Sequence, residues 1–426
     1  MKKPYLAISC PASSRSGYGD HARDLIRSLI KMDMFEITVI DQPWGHCPQN
    51  ALSLQDPIQT LILKHPMQRQ PDIFIQLTVP NEFNPIGKYN IGITAGIETT
   101  LCSPQWLEGV NRMDKVIVPS NHSKYVLQKS NYEKKHQHTG EVMGKLQCET
   151  DIDVLFEGLD LSVFKKTKDI PKNIKSTLDG IKEDFCFLIC GHWLNGVQGE
   201  DRKDIGNTIK TILESFKNKQ KKNMPAIVAK ISSATFSITD REDMLRRIDM
   251  IKHQIGGGNL PNVYLLHGDL SIEEMNGLYN HPKIKAMVSF TKGEGFGRPL
   301  LEFSNTGKPT IVSNWSGHVD FMSAYGVMLP GKLNPVHDSV VWENTILKES
   351  EWFTVDYGFA SGILTDVHKN YKKYLEKSRK QTQYIKENFS LDEMKKQFQD
   401  MMRDASQSFL VDSKELKQLE ELQTYE

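Results

Sequence analysis

Residues 291–303, TKGEGFGRPLLEF, decide how this chain is read. Glu294 and Glu302 stand eight positions apart, with Gly293, Gly295 and Gly297 around the first and Pro299 ahead of an apolar run. The preceding KAMVSF, 285–290, has the composition of a buried strand, and RPLLEF opens a helix with proline in its favoured first turn. Strand, glycine loop and helix in that order mark the place where open parallel sheets hold ligands. Glycines let a backbone approach closely, and unpaired N–H groups at a helix start suit phosphate or sugar oxygens. Glu302 falls about one helical turn in, on the face toward the loop, so both carboxylates can converge on the hydroxyls of one ligand. The alternative is a solvated turn leading into a core helix. A bare E-x7-E occurs often by chance in an acidic chain; a composite of strand, GEGFGRPLLE, helix, Gly-x-Pro and strand is far more specific.

Outward from this segment, short apolar runs alternate with helical patterns, the signature of parallel sheets covered by helices on both faces. YLAISC (5–10), ITVID, IFIQL, IGITAG, KVIVPS and DVLFEG read as strands of a first half. The helix after YLAISC carries Ala22, Leu25, Ile26 and Leu29 on one face. Residues 131–150 read as a polar hairpin insertion, and the lysine-rich 164–184 as a linker or exposed helix. A second alternating series runs from FCFLICG (185–191) through PAIVAKIS, VYLLHG and KAMVSF to TIVSNW (310–315). Within it, Ser271 and Glu274 have capping-box spacing and Gly307 suits a helix stop. The fold class that follows is α/β, with two doubly wound domains. We divide the chain into 1–168, 169–387, and a segment 388–426 holding a capped helix and a charged tail.

Length and composition agree with a globular chain of two or three domains: 426 residues, 38% hydrophobic and 25% charged. Lys+Arg and Asp+Glu are both 53, so nothing in the net charge points to a protein that coats nucleic acid or an acidic membrane. The apolar stretch near the start, YLAIS, is too short for the core of a signal peptide, and no run is long enough for a membrane span. A cytoplasmic location is expected. Six cysteines without a CxxC pair read as reduced thiols, and no metal site is expected.

Two motifs are set aside. Gly17–Ala22, GYGDHA, spells a dinucleotide fingerprint, but a long loop separates it from Cys10 at the strand end, where such a fold turns directly. It reads better as a glycine loop over a cleft. Asp151-x-Asp153 spells a metal–nucleotide site, yet it runs into a strand rather than leaving one, and reads as a solvated charge pair.

Residues 5–405 resemble the retaining glycosyltransferases of the GT-B fold, in particular the GT4-type group whose hallmark is the E-x7-E segment. SGYGDHARDLIRSL looks like that family's glycine loop on the acceptor side. VLFEGLDLSVF is similar to its interdomain segment, and FLICGHW…DRKDIGNTIKTILESF to the strand and helix that hold the donor diphosphate. The resemblance implies two Rossmann-like domains facing each other across a cleft, with the C-terminal helix packing back on the first. It implies that Glu294 contacts donor-sugar hydroxyls, that Glu302 holds the ribose, and that the amides around Gly295, Phe296 and Gly297 approach sugar and diphosphate. Arg202 and Lys203 would neutralise the leaving diphosphate, Gly17 and Gly19 would line the cleft, and His192 and Lys230 join the donor-binding set. Glu98 and His122, on loops after first-half strands, are candidates for donor or acceptor contact.

Departures are His192, where many relatives carry arginine, an insertion LNGVQGED before Arg202, and Asp320 in place of a glutamate. The implied reaction is hexosyl or pentosyl transfer with retention from a nucleotide sugar, UDP-linked, with no separate cofactor. SCPASSRSGYGDHARDL and GITAGIETT also look like glycosyltransferases of tailed bacteriophages, some of which decorate 5-hydroxymethylcytosine in DNA; Lys134, Lys135 and Lys145 could then touch phosphates. A cell-surface glycan or lipid acceptor, and a non-catalytic sugar-nucleotide-binding protein, are the other readings. Donor sugar, acceptor and oligomeric state are not written in the sequence.

Overall fold

A computed structural model describes residues 3–406, apart from 46, 137, 138, 195, 197, 234 and 235 and the side chain of Lys135. The chain divides into two units. One comprises 1–96, 102–158 and 391–426, the other 97–101 and 159–390.

The first unit is built on β1 (Tyr5–Cys10), α1 (Gly17–Met32), β2 (Glu36–Asp41), β3 (Ile73–Leu77), β4 (Tyr89–Ile93), α2 (Pro104–Val110), β5 (Lys115–Val118), α3 (Asn121–Lys129), the pair β6 (Asn131–Lys135) and β7 (Val142–Gln147), and β8 (Asp151–Val154). Its six-stranded sheet is parallel throughout, in the order β2-β1-β3-β4-β5-β8. All of β1 is buried, as a parallel strand covered on both faces must be. Helix α1 is capped by Ser16, whose Oγ accepts from the Gly19 N–H at 3.1 Å, and Ala22, Leu25, Ile26 and Leu29 are fully buried. β6 and β7 pair antiparallel, and β7 exposes Val142 and Met143. Asp151 and Asp153 both reach Lys115 on the neighbouring strand, at 3.3 and 2.7 Å, so they are spent on a strand-to-strand charge pair. The chain returns to this unit as a helix over 391–406, which buries Met394, Phe398 and Met402.

The second unit holds α4 (Lys172–Asp179), β9 (Cys186–His192), α5 (Ile205–Phe216), β10 (Ala226–Ser232), α6 (Ile238–Ile255), β11 (Val263–Leu265), α7 (Ile272–Asn280), β12 (Ile284–Ser289), α8 (Arg298–Ser304), β13 (Thr310–Ser313), α9 (Val319–Met322), β14 (Val327–Leu329), β15 (Gly331–Pro335), β16 (Glu351–Val355), α10 (Tyr357–Lys369) and α11 (Tyr371–Asn388). The six-stranded parallel sheet runs β11-β10-β9-β12-β13-β14. Strand order reverses between β9 and β12, and that switch point is where doubly wound sheets open a crevice for ligands. The 164–184 stretch is no free linker: α4 buries Ile174 and Leu178, and Asn173 donates to Glu274 on α7. The capping box at Ser271 and Glu274 is present.

Candidate functional site

The site grows from the two loops at the β9/β12 switch point. The loop after β12 carries Glu294 and ends at Gly297, which caps α8 with φ of 99°, a backbone that any side chain would strain. The loop after β9 carries Arg202 and Lys203. Lys292 N donates to Arg202 O at 2.8 Å, which ties the two loops together at their backbones. Arg202 Nη1 then donates to Gly293 O at 2.8 Å and to Glu294 Oε2 at 3.2 Å, while Lys203 Nζ donates to Glu294 Oε1. One carboxylate thus sits between two cations.

Glu98 completes the cluster, with Oε1 3.1 Å from Arg202 Nη1. It follows β4 in sequence, yet 97–101 belongs to the second unit. Strand β16 explains this. Thr100 N donates to Glu351 O at 3.0 Å, Glu351 N donates to Thr100 Oγ1 at 2.8 Å, and Phe353 N donates to Lys292 O at 2.9 Å. The edge of β16 away from β15 therefore holds both the Glu98 segment and the loop before Glu294.

The electrostatics follow from this packing. Burial by itself would raise the Glu294 pKa, but the charges of Lys203 and Arg202 outweigh it and hold the carboxyl down to about 2. Glu98 goes the other way: burial raises it, Arg202 only partly offsets this, and the Glu294 charge adds to the rise. Arg202, Lys203, Glu98 and Glu294 sum to zero charge. Anionic groups entering here would find two cations already aimed and would replace the carboxylates as their partners.

Behind the loop, Ser316 Oγ accepts from Glu294 N at 2.9 Å, and Gly317 N donates to Glu294 O at 2.9 Å. His318 is fully buried and donates Nε2–H to Ser313 O at 2.7 Å. Ser316 and Gly317 fix the Glu294 backbone and His318 holds the end of β13, and a sequence reading centred on charged side chains passes over them. The short SNWSGHVDF segment is the only signal that could have pointed there.

Glu302 lies one turn into α8. Its Oε2 accepts from Tyr279 Oη at 3.1 Å, and Arg298 Nε stands 3.4 Å from Oε1. Burial, then the charge of Glu302, pushes the Tyr279 hydroxyl well above its ordinary pKa, so it stays a donor to Glu302. Phe296 turns its ring into the core against Phe321, with ring centres 5.1 Å apart. Lys230 on β10 pairs in register with Cys190 on β9, and His192 Nδ1 lies 2.9 Å from Ser233 O.

Gly17, Gly19 and His122 lie in the first unit. Gly19 packs so tightly on Ser14 O that a Cβ would come within 2.2 Å of it. Between the two glycines, Tyr18 bonds Thr94 Oγ1 at 3.1 Å, accepts from Ala95 N at 3.0 Å and stacks on Trp44 at 3.9 Å. The SGYG and GITAG stretches therefore meet at the ends of β1 and β4. His122 stands in the first turn of α3. The tail beyond 406 and the Lys135 side chain lie outside the described residues.

No family model and no curated protein matches this sequence. Solved structures do. Sucrose-phosphate synthase from Thermosynechococcus elongatus aligns over 96% of this chain and 100% of its own, at 12% identity and a TM-score of 0.59. A glycosyltransferase from Rickettsia africae aligns over 95% and 99%, at 13% identity and a TM-score of 0.59. Anabaena HepE, solved with UDP-glucose, aligns over 94% and 100%, at 12% identity and a TM-score of 0.56. The chain has the GT-B fold, two Rossmann-like domains and a C-terminal helical segment. Among the described residues no helix is long and apolar enough to cross a membrane.

Proposed function

We propose that the chain is a nucleotide-sugar-dependent glycosyltransferase of the retaining, GT4-like kind. The observation that carries this is the Glu294 carboxylate held between Arg202 and Lys203 at the β9/β12 switch point, with Glu302 one turn along α8. In this reading Arg202 and Lys203 receive the diphosphate, Glu294 the sugar hydroxyls and Glu302 the ribose. The bond from the anomeric carbon to the phosphate oxygen breaks as the acceptor oxygen bonds the same face, and the acceptor proton passes to the departing phosphate. Fixed cations aimed at that phosphate stabilise the charge it develops, with little reorganisation at the moment of reaction. HepE's complex with UDP-glucose supports a UDP-linked donor.

The acceptor we infer is 5-hydroxymethylcytosine in DNA. Support comes from the phage-like wording of the two stretches that Tyr18 joins and from the lysines of the β6–β7 hairpin, with action in the cytoplasm of an infected cell. The decisive assay is nucleotide release from UDP-, GDP- and ADP-sugars, with hydroxymethylcytosine-containing DNA, with unmodified DNA, and without DNA. Acceleration by the modified DNA alone is the expected result. Release indifferent to DNA would move the acceptor to glycans or lipids, and no release from any donor would overturn the enzyme.

A further inference from the structure

A second cationic cavity lies in the same unit, away from Glu294. Helix α8 separates the two: its first residue follows the Glu294 loop, while Asn305–Gly307 beyond its last residue line the cavity. Lys285 stands at the start of β12 and Lys308 just ahead of β13, so the cavity opens at the amino ends of those strands, whereas Glu294 leaves a carboxyl end. Its volume is about 340 Å³, and its charged lining is Lys166, Lys285, Lys308, Arg379 and Lys386, with no carboxylate.

Three features separate this cluster from ordinary surface lysines. The cations come from four separate parts of the chain. Arg379 and Lys386 sit seven positions apart on α11, on one helical face. None of the five has an acidic partner among the described residues, in a chain where cations and acids are equal in number. Lys308 is committed to carbonyls, donating to Tyr279 O at 2.7 Å and His281 O at 2.9 Å, which leaves its charge uncompensated. Burial, then the charges of Lys285 and Lys166, brings its pKa down to about 7. Such mutual repulsion is relieved by an anion of high charge density, and arginine beside lysines is the set that holds phosphate.

We propose that this cavity is a binding site for a small phosphorylated molecule carrying at least two negative charges, separate from the donor site. Its finite, concave volume fits a phosphate ester or diphosphate and not a long polyanion. The inference does not depend on the glycosyl-transfer reading, because it uses none of those residues.

Isothermal titration of the full chain with inorganic pyrophosphate tests it, comparing the wild type, the exposed-site double variant Arg379→Ala/Lys386→Ala, and Lys203→Ala. Loss of two charge-assisted contacts is expected to weaken pyrophosphate binding at this site by about tenfold or more. Lys203→Ala should leave that binding phase in place. No binding by the wild type, an unchanged constant in the double variant, or loss of the phase in Lys203→Ala would each overturn the proposal. So would a short DNA duplex that displaces pyrophosphate only when Arg379 and Lys386 are present, since the site would then read a polyanion.

Discussion

Glu294 is the residue on which the site turns, because a nearly buried carboxylate there is tolerable only with both cations in place. Its pKa, depressed from 4.5 to about 2, fixes the sign of its contribution. The stabilisation is full above pH 4.5 and is lost as the pH falls toward 2, so across the neutral range the cluster does not titrate through this group. The shift corresponds to about 3 kcal/mol at most. Denaturant unfolding of wild type and Glu294→Gln should therefore show a gap at pH 6 that narrows steadily toward pH 3; a constant gap would contradict the ion cluster. Kinetics divide the roles further. Glu302→Ala should weaken donor binding about tenfold, by removing the hydroxyl acceptor on α8, while Lys203→Ala should mainly lower turnover, its charge being needed as the phosphate departs. Wild-type constants in both would refute the donor assignment. Glu294 and Glu302 stand out in the sequence because carboxylates around a glycine loop at a strand end carry their chemistry openly. Arg202 and Lys203, in the long loop after β9, are singled out only by the family resemblance; the structure brings Glu294, Arg202 and Lys203 together. Ser316, Gly317 and His318 were signalled only by the short SNWSGHVDF segment, because their work is to hold backbone and not to carry charge.

At the level of elements, the strands of both sheets apart from β14 were legible because parallel strands covered on two faces read as apolar runs. The chain between TIVSNW and the capped helix over 391–406 was not. β15 is exposed along nearly its whole length, and α11 buries Ser378, Gln381 and Ile385, so neither displays an apolar period. Yet β16, paired with β15, is what brings Glu98 to Arg202. Two substitutions test that arrangement. A Cβ on Gly293 would lie 1.9 Å from Glu98 O, so Gly293→Ala must push the two loops apart. Thr100→Val removes the acceptor for Glu351 N and leaves that amide unpaired, at a cost of about 1–3 kcal/mol. Both should raise the apparent donor dissociation constant with secondary structure intact, measured by titration with UDP and by circular dichroism. Unchanged donor affinity in both would separate Glu98 from the site.

On the scale of the whole molecule, the chain leaves the first unit, builds the second, and returns for one helix. That return gives the first unit Met394, Phe398 and Met402, all fully buried at successive turns of residues 391–406. The fit is close: Gly158 N lies 3.4 Å from Met394 Sδ, and a Cβ on Gly158 would meet Leu391 Cα at 2.6 Å. Three large apolar side chains contribute about 5–8 kcal/mol of burial, comparable with the entire stability of a domain. A chain ending at Ser390 should therefore lose the first unit and keep the second, whose core of β9–β14, α5 and α10 uses nothing beyond residue 390. Hydrogen exchange distinguishes the outcomes: amides of β1, β3 and β4 should exchange freely in the truncated chain, while those of β9, β10 and β12 stay protected. Met394→Ala should show the same asymmetry more weakly, losing about 2–5 kcal/mol from the first unit alone. Equal loss of protection in both sheets would mean that the returning helix supports the second unit as well, and that the two cores do not fold independently.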